Sequence, residues 1–127
     1  MPLVRISALE GKSPAWRAAV GEAIHQAMVE TINVPASDRF QLFSEHASDA
    51  LVADPTYLGI DRGEDVVIVQ ITLNQGRTIE QKKALYARIA EKLGRDPGIR
   101  AQDVMVNLVE VPKENWSFGN GAMSYPP

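Results

Sequence analysis

Val66-Val67-Ile68-Val69-Gln70-Ile71-Thr72-Leu73-Asn74-Gln75-Gly76-Arg77-Thr78 decides the fold, because the chain carries it twice. Shifted by 65 residues without gaps, it falls on Met1 to Ser13. Val69 and Ile71 then lie on Val4 and Ile6, and Gln75-Gly76-Arg77-Thr78 lies on Glu10-Gly11-Lys12-Ser13. The match runs on downstream: Ala84 and Ile89 meet Ala19 and Ile24, Ala101 and Asp103 meet Ala36 and Asp38, and Glu110 meets Glu45. A glycine, a basic residue and a hydroxyl residue recur together after an apolar run, which marks a duplicated structural unit.

Each half reads strand, helix, strand. Residues 3–8 and 66–73 are β-branched apolar runs suited to buried strands. Gly11 and Gly76 break them. Ser13 and Thr78 are good helix N-caps, with Pro14 at the first helical position and Gln81 placed to close a capping box on Thr78. Trp16, Val20, Ile24, Ala27 and Met28 recur at helical spacing, as do Leu85, Ile89 and Leu93. The helices should end near Asn33 and Gly94, and residues 39–44 and 104–111 return as strands. Such units favour parallel, right-handed crossovers. The expected fold is α/β: duplicated β-α-β units over residues 2–45 and 66–111 form a four-stranded mixed sheet with two helices on one face. The loop at 46–65 is long for so small a domain, which favours function over idleness. The tail at 112–127 is too irregular for a helix and should fold over the body or a neighbouring subunit.

The 127 residues fit one domain with a moderate core. A net charge of −3 without Lys/Arg runs argues against nucleic-acid binding, and no apolar run approaches a membrane span. The chain has no cysteine, which excludes thiolate chemistry. With no visible secretory signal, a cytoplasmic location is expected. Only His25 and His46 offer imidazole, without metal-ligand spacing, so no metal or cofactor is expected.

Pro2 has two readings. It is tolerated at a strand start, where no ladder N–H is missed. If Met1 is trimmed, Pro2 is also a free secondary amine. An α-amino group titrates at about 7.7–8.0, so it can serve as acid, base or imine-forming nucleophile.

A doubled β-α-β unit opening Met1-Pro2-Leu3 resembles the tautomerase superfamily, whose catalytic group is an amino-terminal proline. Within it the chain is similar to the malonate semialdehyde decarboxylases. The resemblance is carried by Ala27-Met28-Val29-Glu30, Val34-Pro35-Ala36-Ser37-Asp38-Arg39-Phe40-Gln41, Glu45-His46, Leu58-Gly59-Ile60, Glu80-Gln81-Lys82 and Trp116-Ser117-Phe118-Gly119. It implies Pro2 as catalytic amine, Asp38 as its carboxylate partner and Arg77 as the grip on a small carboxylate substrate. Trp116 and Phe118 match an apolar wall. The family pattern Arg-Pro-Arg reads Gln75-Gly76-Arg77 here, so Gln75 stands where a second arginine is expected. The resemblance implies cofactor-independent decarboxylation of malonate semialdehyde to acetaldehyde and CO2 by a homotrimer.

Two alternatives stay open. One is a tautomerase or hydratase of small 2-oxo acids, which the neutral Gln75 favours. The other is a non-catalytic interaction protein on the same scaffold, which retention of Met1 would favour. Plainer readings exist residue by residue. Asp38 and its repeat mate Asp103 suit turn capping. Arg77 shares its place with Lys12, a surface charge beside a helix cap. Arg39 reads as a solvated or interface charge, His25 as a structural histidine of the first helix, and His46 as a loop residue able to reach a site.

Overall fold

The computed structural model describes residues 2–125, so the expected trimming of Met1 and the end of the tail lie outside the described residues. Strand β1 (Leu3–Leu9) leads into helix α1 (Pro14–Ile32) and strand β2 (Gln41–His46). The second unit repeats this with β3 (Val67–Asn74), α2 (Ile79–Arg95) and β4 (Val104–Val111). The sheet order is β2-β1-β3-β4. β1 pairs parallel with β2 and β3 parallel with β4, while β1 and β3 meet antiparallel at the centre. The four-stranded mixed sheet expected from the duplication is the sheet observed.

Local chemistry sets the helix ends. The Ser13 hydroxyl accepts the Trp16 amide at 3.0 Å, and Asn33 closes α1 in the left-handed region at φ 59°. Thr78 and Gln81 form the reciprocal capping box. Alternate residues of the central strands, Val4, Ile6 and Ala8 with Val67, Val69, Ile71 and Leu73, face both helices. Ile24, Ala27, Met28, Leu85, Ile89 and Leu93 close over them. Removing a side chain such as Ile89 from this layer costs about 2–5 kcal/mol.

The second strand starts later than the sequence pattern suggests, at Gln41 rather than Arg39. Residues 35–38 form a turn in which the Asp38 amide donates to the Pro35 carbonyl at 3.0 Å. The ladder resumes only where the Val4 amide reaches the Phe40 carbonyl at 3.0 Å. Arg39 is exposed and pairs with Glu22 at 2.7 Å, as a solvated charge would. Gly21, inside α1, permits the side-chain amide of Gln41 to donate to its carbonyl at 2.8 Å and fastens the start of β2 to the helix.

The long loop holds a single 3-10 turn at Tyr57–Gly59. Arg62 pins it by donating to the Asp54 and Tyr57 carbonyls at 3.2 and 3.0 Å. A cavity of about 540 Å³ lies beneath it, lined in part by Leu9, Leu51, Val52 and Val66. Among the described residues no helix is long and apolar enough to cross a membrane.

Candidate active site

The topology gathers the candidate residues at one end of the sheet. Pro2 immediately precedes β1, so continuing the parallel register brings residues 38–40 beside it on one side. The antiparallel partner brings the end of β3, Leu73 and Asn74, beside it on the other. The carboxyl end of α1 and the amino end of α2 close the same end. Pro2 is buried and shares the helix-facing side of β1 with Val4 and Ile6.

Asp38 is 5% exposed, carried by the Pro35–Asp38 turn. Burial raises its carboxyl pKa, while the amino-terminal charge, His25 and Arg77 pull the other way. The pull of Arg77 ties the two sites electrostatically. His25 is buried in α1, and its Nε2 lies 2.9 Å from the Ala36 carbonyl, inside the loop that carries Asp38.

Arg77 is half-buried between β3 and α2. Its Nη1 donates to the Asn74 carbonyl and its Nη2 to the Ile32 carbonyl, both at 3.2 Å. These tethers hold the guanidinium where the amide groups opening α2 also favour an anion. Glu110 lies nearby on β4, its carboxyl lowered by Lys82 first and also by the Gly76 amide and Arg77. Gln75 is exposed; its amide joins the Val111 carbonyl at 3.0 Å, and its side chain stands outside the bonded group around Arg77.

The tail folds over the body. Trp116 and Phe118 stack at 5.0 Å with 12° between their planes, and Phe40 joins Phe118 at 5.7 Å. Tyr125 meets Phe118 edge-on at 6.0 Å. The Trp116 indole donates to Oδ1 of Asn74 at 2.7 Å, which anchors this wall to the end of β3.

Pro2, Asp38, Arg77 and Trp116 with Phe118 therefore share one end of the fold, with Gln75 at its exposed edge. His46 does not share it: it pairs with Leu9 at the opposite end of the sheet, about 23 Å along the strand from Pro2. The long loop and its cavity sit at that far end too. Two residues of the site escaped sequence reasoning. Phe40 reads as part of a strand. Asn74 occupies the repeat place of Leu9, and a polar residue closing an apolar run was the signal for it.

The duplicate half makes a useful contrast. Pro2, Asp38 and Arg77 correspond to Val67, Asp103 and Lys12. Asp103 is equally buried, but its Oδ1 accepts the Gly63 amide at 2.7 Å. Lys12 pairs with Asp65 at 2.6 Å and lies over the Trp16 ring. The second carboxylate and cation are thus committed to holding the loop. Among the described residues, no group of His, Asp or Glu could hold a metal ion.

The sequence pattern of a tautomerase enzyme family matches residues 38–119, and that of a second tautomerase family matches residues 2–60. The chain belongs to the tautomerase superfamily. The chain is 41% identical to the probable tautomerase YusQ of Bacillus subtilis (strain 168), over 95% of each chain. Its fold is similar to that of FG41 malonate semialdehyde decarboxylase inhibited by 3-bromopropiolate. That match has a TM-score of 0.90 and 36% identity, covering 97% of this chain and 93% of that one. Structures of malonate semialdehyde decarboxylase bearing on decarboxylase and hydratase activities match with a TM-score of 0.89 and 36% identity. They cover 95% of this chain and 93% of the matched chain.

Proposed function

We propose that this protein decarboxylates malonate semialdehyde to acetaldehyde and CO2, with Pro2 freed of Met1 as catalytic amine. The observation that carries the reading is the buried Asp38 carboxylate, beside the start of β1 and within the field of Arg77. An opposite charge favours the protonated prolyl nitrogen. In that form it polarises the aldehyde by hydrogen bonding; alternatively, having given up its proton, it adds to the aldehyde and water leaves to form an iminium, which water hydrolyses again once CO2 has departed. The substrate carboxylate rests on the planar fork of Arg77. As the C–C bond breaks, its electron pair flows into the polarised carbonyl and CO2 departs. A proton then returns to the carbon, giving acetaldehyde. The wall of Trp116, Phe118 and Phe40 disfavours the carboxylate and tolerates uncharged CO2. The scheme needs neither cofactor nor metal.

The test is direct. Protein confirmed by intact mass to begin at Pro2 is mixed with malonate semialdehyde, and acetaldehyde is followed. Turnover abolished by Pro2→Ala supports the proposal; turnover no faster than background removes it and leaves family membership intact.

A second reading, a tautomerase or hydratase of small 2-oxo acids, is favoured by the neutral Gln75 and by the relative described as a probable tautomerase. It requires a neutral Pro2 base or a water positioned by Asp38. A ¹⁵N titration of Pro2 separates the two: a nitrogen protonated well above neutral pH favours the decarboxylase. The proposal includes a trimeric ring that covers the sheet face opposite the helices. There Leu42, Met105 and Val109 are 46%, 51% and 38% exposed. A monomeric mass by light scattering would remove that part.

A further inference from the structure

We propose that His25 is a positioning residue for Asp38, acting through the hydrogen bond from its Nε2 to the Ala36 carbonyl. This rests on the reading that Pro2 and Asp38 do the chemistry. Between α1 and β2 the backbone is held at its ends: by the Asn33 and Val34 amides on the Met28 carbonyl, by the Asp38 amide on the Pro35 carbonyl at 3.0 Å, and by the Phe40 carbonyl on the Val4 amide at 3.0 Å. None of these bonds grips the apex at Ala36 and Ser37, which is exposed. His25 does. It lies on the buried face of α1 between Ile24 and Met28, only 2% exposed, and reaches the apex at 2.9 Å.

A carbonyl only accepts, so Nε2 carries the proton and donates. Nδ1 is buried without a hydrogen-bond partner among the described residues. A helix this hydrophobic would pack a leucine or methionine there at no polar cost. What the imidazole adds is one directed bond from a rigid helix to the turn two residues before Asp38. Asp38 must sit beside Pro2 to stabilise its charge, and a displacement of about 1 Å can cost about 10²-fold in rate. The groups whose charge acts on Asp38 are the chain's amino terminus, His25 of α1 and Arg77 before α2. His25 also holds the turn itself, through Ala36.

The experiment compares His25→Met, which fills the space without a donor, with His25→Gln, whose amide restores a donor toward Ala36. Turnover of malonate semialdehyde is measured against pH for both. His25→Met is expected to lower kcat about 10²-fold with KM within about threefold of the parent, and to move the acid limb of the pH profile. His25→Gln is expected to regain most of kcat and the parental limb. Ile89→Val, a core trimming, lowers stability alone and should move neither. If His25→Met does not fold, His25→Asn replaces it, since its shorter amide falls short of Ala36. Parental kcat in the donor-less variant, or equal impairment in it and His25→Gln, overturns the proposal. Pro2→Ala and Asp38→Asn are run alongside. If both retain turnover, the functional reading itself fails. If both are inactive while His25→Met is fully active, only the role of His25 falls.

Discussion

The indole N–H of Trp116 donates to Oδ1 of Asn74 at 2.7 Å, while the carbonyl of the same Asn74 accepts Arg77 at 3.2 Å. One residue at the end of β3 thus braces both the aromatic wall and the cationic fork. Asn74→Leu removes the side-chain acceptor and leaves the backbone tether. A buried donor without its partner costs about 1–3 kcal/mol, which urea unfolding would register. In a Trp16→Phe background, Trp116 emission should shift to the red as the wall loosens. Unchanged emission and stability would deny Asn74 this role.

Burial raises the pKa of Asp38, so the folded state holds this proton more tightly than the unfolded chain does. As pH climbs from the ordinary Asp value of about 3.9 through the raised folded value, the native state binds more protons than the unfolded one. Unfolding free energy therefore falls over that window. The destabilisation is complete above the folded pKa and absent below the unfolded one. Asp38→Asn abolishes this titration. It should be more stable than the parent at neutral pH, with the gap closing as pH falls, and it should be inactive. Urea midpoints between about pH 3 and pH 8 check this; a gap independent of pH contradicts it.

Arg77 offers a fork, and a lysine cannot reproduce it. Arg77→Lys keeps the charge but loses the paired contacts to the Asn74 and Ile32 carbonyls. A charge-assisted hydrogen bond is worth about 1.5–3 kcal/mol, so kcat/KM should fall about 10- to 100-fold, chiefly through KM. Gln75→Arg is the converse. Position 75 is exposed, so the longer side chain has room, and a second fork should lower KM about tenfold. An unchanged KM would mean that position 75 does not face the substrate carboxylate.

The repeat and the helix caps made the architecture legible, because Ser13, Thr78 and Gln81 act through bonds only a few residues long. Tertiary bonds were less legible. The start of β2 was misplaced because Arg39 and Phe40 have strand-like composition. Their pairing is delayed by the Pro35–Asp38 turn, which closes on a backbone bond. The candidate site residues Asp38 and Arg77 have repeat mates of the same chemical type, yet Asp103 and Lys12 hold the loop instead. Pattern alone does not separate a carboxylate that holds the long loop from one at the end of the sheet beside Pro2. Asn74 and the bond of His25 to Ala36 join residues 42 and 11 positions apart from their partners, beyond any local signal.

Gly21 tests how β2 is anchored. In a helix interior glycine is about 1 kcal/mol less favourable than alanine, so local propensity alone predicts that Gly21→Ala stabilises α1. The structure sets a cost against that gain. A Cβ at Gly21 would lie 2.5 Å from Oε1 of Gln41 and 3.3 Å from the Phe43 ring. Gln41 would have to leave the Gly21 carbonyl, which it now meets at 2.8 Å. The start of β2, three residues after Asp38, would lose its fastening to the helix. Gly21→Ala should therefore bring no net gain in stability, because losing that bond costs about 1 kcal/mol and offsets a propensity gain of similar size. Gln41→Ala frees the space, so the double variant should be more stable than the sum of the two single effects predicts. Strict additivity in that cycle would mean that Gln41 and Gly21 are not coupled and that β2 is positioned by the sheet alone.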